Sequence, residues 1–107
     1  MSSVPASTVE TVEQHVERLL RQWREVTAYM SSSTSITGHA AYQELIGLGP
    51  VALPFLFRDL QRSGDEHLSK ALRAITGADP IPVEERGQIP KIAATWLRWA
   101  RENGYQW

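Results

Sequence analysis

Residues 45–77, LIGLGPVALPFLFRDLQRSGDEHLSKALRAITG, constrain the fold more than any other stretch of the chain. Two apolar runs at helical spacing meet at Gly64, and Gly47, Gly49 and Pro50 punctuate the start of the first. Glycine accepts the left-handed conformation that ends many helices, and proline suits the first helical position, where its missing N–H costs nothing. The pattern predicts two short helices packed back to back. In the first, Val51, Phe55, Leu56 and Leu60 form the inward stripe, Arg58, Asp59 and Arg62 face outward, and Pro54 tightens the opening turns. In the second, capped by Ser63 or Asp65 and closed by Gly77, Leu68, Ala71, Leu72 and Ile75 point inward. Such a pair leaves apolar surface bare, so the rest of the chain must cover it.

The N-terminal cover is a long amphipathic helix over residues 8–30. Val9, Val12, Val16, Leu19, Trp23, Val26 and Met30 recur in steps of three and four, without a miss. Ser7 and Glu10 have the spacing of a capping box. Glu10, Glu13 and Glu17 precede Arg18, Arg21 and Arg24, as the helix dipole favours, and Glu17–Arg21 is a favourable pair one turn apart. The stripe also fits a heptad seam, which makes a homodimer through residues 8–30 the alternative to packing on its own domain. Against the dimer, Leu20 widens the stripe towards a globular core face and Trp23 is bulky for a two-stranded seam.

Residues 1–6 are expected to be disordered, and the small polar residues 31–38 (SSSTSITG) to form a loop with Ile36 tucked inward. A short helix from about 39 to 46 follows, with Tyr42, Leu45 and Ile46 on one face. Residues 78–89 (ADPIPVEERGQI) read as a long loop stiffened by Pro80 and Pro82 and anchored by Ile81 and Val83. The last helix spans about 90 to 103, with Ile92, Ala93, Trp96, Leu97 and Ala100 inward. Gly104 caps it, and Tyr105 and Trp107 fold back onto its end. No segment alternates with period two, so the class is all-α: about five helices in one domain, 1–107. At 107 residues the chain is long enough for one core without staples.

The element Leu48-Gly49, Ala52, Pro54 and Leu56, followed by Ala71-Leu72 and Ile75-Thr76-Gly77, resembles a single HEAT or HEAT-like repeat. Only one clear copy is present, whereas arrays of such helix pairs usually hold at least three. The first and last helices would therefore serve as caps. The stretch 74–105, with ITGxDPxP and WLRWxxxxGY, also resembles a pattern shared by small uncharacterised bacterial proteins. The HEAT likeness implies a protein-binding adaptor.

Composition narrows the chemistry. There is no cysteine, which removes disulfides, thiolate metal sites and thiol catalysis. Net charge is −1, which speaks against nucleic-acid binding driven by bulk charge. No basic n-region with an apolar h-region and no membrane-length apolar run is apparent, so the expected setting is cytoplasmic. His15, His39 and His67 form no metal-ligand spacing. Asp79, Glu84 and Glu85 share the long loop, where solvation and capping explain them. Gly47–Gly49 before a helix lacks the lysine of a phosphate-binding loop. The chain is thus read as non-enzymatic, with no catalytic, metal or cofactor-binding residues.

Four tryptophans are many for this length. Trp99, Tyr105 and Trp107, with Arg98 and Arg101, would make an aromatic–arginine patch of the kind that dominates binding energy at interfaces. The competing reading puts Trp96 and Trp99 in the core and leaves Trp107 disordered. Lys70, Arg73, Lys91, Arg98 and Arg101 would line the outer faces of the last two helices. A modest basic patch there, with Arg73, Arg98 and Arg101, is the alternative route to function, as a regulator on nucleic acid.

Overall fold

Thr11 starts the first helix. A computed structural model describes residues 10–30 and 32–107, with the side chains of all but Ser33 and Thr34. The expected disorder of 1–6, the cap at Ser7 and the inward Val9 lie outside the described residues. Helix α1 runs Val12–Thr27. Thr11 Oγ1 accepts from the Gln14 amide (3.1 Å) while Gln14 Oε1 accepts from the Thr11 amide (2.9 Å), a complete capping box four residues later than expected. Glu10 precedes the helix and reaches forward to the Arg18 guanidinium (2.8 Å), so it is not the returning arm of a box. The helix stops short of Met30, where buried Thr27 turns its hydroxyl back onto the Trp23 carbonyl (2.6 Å).

Only the middle of the apolar stripe is buried. Val16, Leu19, Leu20, Trp23 and Thr27 face the core, whereas Val12, Val26 and Met30 stay largely exposed. Among the described residues Glu17 and Arg21 form no ion pair, and the helix is fastened by longer reaches: Glu13 to Arg58 (2.6 Å) and Arg24 to Asp59 (2.6 Å). Helix α1 therefore packs on its own chain, chiefly against α3 (Ala40–Leu48).

Between them, the expected loop contains a five-residue helix, α2 (Ser33–Thr37). Ile36 is buried as expected, and its carbonyl accepts from the Trp23 indole (2.7 Å). His39 caps α3 by accepting the Ala41 amide at Nδ1 (3.1 Å). Gly49, at φ +73°, ends α3 and leads through a 3-10 turn, Gly49–Ala52, into α4 (Leu53–Ser63). That tighter turn resets the helical phase. Helix α4 consequently buries Leu53, Leu56, Phe57, Asp59 and Leu60, while Val51 is exposed and Phe55 only half-buried, correcting the expected stripe.

Gly64 ends α4 in the left-handed conformation, and α5 (Leu68–Thr76) follows, with Leu68, Ala71 and Leu72 buried and Ile75 partly so. Asp65 supports the turn by accepting the His67 amide (3.1 Å). In the 78–88 connection Ile81 is buried, but Val83 is 76% exposed at the head of a 3-10 turn, so it anchors nothing. Helix α6 (Ile89–Glu102) then buries Ile92, Ala93, Thr95, Trp96, Leu97 and Ala100.

Among the described residues the fold is all-α, with five helices of nine residues or more and the short α2. Helix α3 packs between α1 and α5, and α4 packs on both α5 and α6. By length and composition the run Ala40–Ser63, which holds an 18-residue window of mean hydropathy 1.3, would suffice to cross a membrane. Here it is bent at Gly49, and Tyr42, Leu45, Leu53, Leu56, Phe57 and Leu60 supply much of the core.

Candidate interaction surface

The C-terminus of α6 closes with a Schellman motif. The Tyr105 amide donates to the Ala100 carbonyl (2.9 Å) and the Gly104 amide to that of Arg101 (3.1 Å), with Gly104 at φ +84°. This geometry turns the chain back over α4. Tyr105 and Trp107 bring their ring centroids to 5.3 and 5.4 Å from that of buried Phe57. Trp99 stacks on Tyr105 at 5.8 Å, and Trp96 meets the edge of Trp99 at 5.5 Å. The Trp107 indole donates to Gln61 Oε1 (2.6 Å), and the Arg101 guanidinium lies 5.1 Å from the Trp107 ring centroid.

An open groove of about 370 Å³ runs along this cluster, lined by Gln61, Arg101, Tyr105, Gln106 and Trp107. Of the six residues singled out from the sequence, Trp99, Tyr105, Trp107 and Arg101 converge here. Arg98 lies exposed on α6, one turn before Arg101, with no carboxylate partner among the described residues. Arg73 is on α5, 3.8 Å from Asp79. Trp96 is fully buried, whereas Trp99, Tyr105 and Trp107 are half-buried and packed against the core. Phe57 and Gln61, which seat the aromatic tail, were not expected. They lie one turn apart after Leu53, and the phase change at the 3-10 turn is what conceals their face.

The main polar feature of the interior is elsewhere. Asp59, 2% exposed, takes both Arg24 Nη1 (2.9 Å) and Nη2 (2.6 Å), with further hydrogen bonds from Arg62 (2.9 Å) and Ser63 (3.2 Å). Its expected outward orientation is corrected by this pairing. Arg24 also reaches Asp65 (3.1 Å) and lies 5.4 Å from the Trp23 ring centroid. Burial alone would raise the Asp59 pKa, but the hydrogen bonds and charge of Arg24 and Arg62 outweigh it and hold the carboxyl below its ordinary range. Burial works against the Arg24 charge too, and Asp59 and Asp65 outweigh it. Every group in this network has a protein partner, which marks it as a clamp between α1 and the α4–α5 corner.

The histidines are also engaged in structure. His15 bridges Glu10 (2.9 Å) and Glu44 (3.2 Å), His39 caps α3, and His67 sits 3.1 Å from Asp65 with its ring edge-on to Trp23. Among the described residues no three His, Asp or Glu side chains are grouped as a metal would need. Comparison with protein-family models, curated proteins and solved structures gave no match.

Proposed function

We propose that this chain is a non-enzymatic helical interaction module, or small accessory subunit, whose partner protein docks on the surface made by Trp99, Arg101, Tyr105 and Trp107. The observation that carries the reading is the convergence of these four residues beside an open groove. Tryptophan, tyrosine and arginine supply most binding energy where interfaces have been dissected. Here the rings are already held by Phe57 and Gln61, so a partner would immobilise little that is free. The likeness of residues 45–77 to a HEAT-like helix pair accords with an adaptor.

Affinity capture from native lysate, at low and high salt and with nuclease, tests this against an Arg101→Glu variant. Arg101 is exposed and outside the core, so its replacement leaves the fold in place. The reading expects one stoichiometric protein, resistant to nuclease, captured by the wild type and lost by the variant. Nucleic acid released by salt would instead favour a regulator working through Arg73, Arg98 and Arg101. Capture indifferent to Arg101 would overturn the surface.

A further inference from the structure

We propose that a second site, the pocket between α5, the 78–86 segment and α6, binds a small organic acid by its carboxylate. The pocket has a volume of about 190 Å³ and is lined by Ser69, Arg73, Asp79, Ile81, Arg86 and Ile92. A cavity of about 150 Å³ is enough to hold a benzene ring, so a ligand of roughly that bulk plus a carboxylate fits.

Charge and donors favour an anion. Arg86 Nη2 donates to Asp79 Oδ2 (3.2 Å), and Arg73 Nη1 stands 3.8 Å from the same oxygen. Among the lining residues two guanidiniums stand against one carboxylate, an excess of positive charge within the pocket itself. Each arginine carries five N–H donors in a planar fork, and among the described residues only one of Arg86's and none of Arg73's is hydrogen-bonded. Ser69 Oγ accepts from the Trp96 indole (2.8 Å), and its own proton has no acceptor among the described residues. Glu85, on the same segment, is already engaged by the Thr95 hydroxyl (2.8 Å). A carboxylate matches the guanidinium fork with two parallel hydrogen bonds.

The rest of the pocket selects the body of the ligand. Ile81 and Ile92, each 7% exposed, form an apolar wall next to the charged rim. Inorganic phosphate would satisfy the arginines but leave that wall wet. A branched or cyclic monocarboxylic acid satisfies both.

The test is a titration of the whole chain with sodium cyclohexanecarboxylate, followed by the indole N–H resonances in two-dimensional NMR. Trp96 reports the pocket through Ser69, and Trp23, bonded to Ile36, serves as the internal control. The expected result is a saturable shift of the Trp96 resonance alone, with affinity weakened at least about tenfold in Arg86→Gln. Both guanidiniums are about half exposed, so Arg73→Gln and Arg86→Gln should leave the other indole resonances in place, which verifies the fold. Cyclohexylmethanol and matched sodium chloride should shift nothing, and phosphate should bind more weakly. The proposal is overturned by no saturable shift, by an equal response to the alcohol, by phosphate binding as tightly as the acid, or by affinity unchanged in Arg86→Gln.

Discussion

Tyr42 illustrates how one side chain fixes a helix start. Fully buried, its hydroxyl donates to the His67 carbonyl (2.5 Å) and accepts from the Ala71 amide (2.8 Å), bridging the groups of the first turn of α5. Burial raises its pKa above that of an ordinary phenol, so it remains a donor throughout the neutral range. Tyr42→Phe keeps the ring against Trp23 but strands both backbone groups, and should cost about 1–3 kcal/mol in denaturant unfolding. Asp59 is the second such residue. Asp59→Ala leaves Arg24 facing Asp65 alone and should cost about 3–5 kcal/mol. Replacing the pair together, as Arg24→Met with Asp59→Leu, should recover part of that loss: the buried carboxylate and its main partner go together, exposed Arg62 turns to solvent, and Asp65 keeps only His67. The pH dependence follows from the same pairing. The folded Asp59 carboxyl titrates below its unfolded value, so the unfolded chain binds more protons. Its contribution is complete above about pH 4, the unfolded value, and is lost as pH falls through the folded one. Glu10, drawn down to about 2 by its hydrogen bonds from Arg18 and His15, acts in the same direction. Thermal melts from pH 6 to 2 should show this loss, with a shallower slope for Asp59→Asn.

At the scale of elements, the helices themselves were legible and their phases less so. Gly49, Gly64 and Gly104 mark helix ends in the sequence, and each adopts positive φ beside one. The back-folding of Tyr105 and Trp107 followed from Gly104 for the same reason. Four features were not legible, each for a physical reason. Thr11 and Gln14 carry the same cap signature as Ser7 and Glu10, and spacing alone could not rank them. The 3-10 turn at Gly49–Ala52 rotated α4, exchanging Val51 for Leu53 and Phe57. Asp59 looked outward-facing because its partner, Arg24, is distant in sequence. Helix α2 was hidden in a run of serines and threonines whose helix preference is weak. Where pattern and phase agree, the energetic consequence is firm: Leu56→Ala or Leu72→Ala, each fully buried, should cost about 2–5 kcal/mol. A loss below about 1 kcal/mol would mean that these faces are not core.

Taken whole, the molecule closes its core from both ends of the chain. Helix α1 covers α3 and is clamped to the α4–α5 corner by Arg24, while the tail beyond α6 covers Phe57 on α4. Of the six candidate surface residues, four meet at that tail; Arg73 does not, because it lies on α5 beside Asp79. The spacing Trp99, Arg101, Tyr105 and Trp107 made the cluster legible, but the groove beside it depends on Gln61 from another helix. We propose this end of the molecule as the place where a partner protein docks. Site-specific photocrosslinking in native lysate tests it most directly, with a photoreactive residue at Gln106 in the groove and, as control, at exposed Glu25 on α1. The expected result is a protein adduct of one defined mass from position 106 and none from position 25. No adduct from position 106, or the same adduct from both positions, would contradict it.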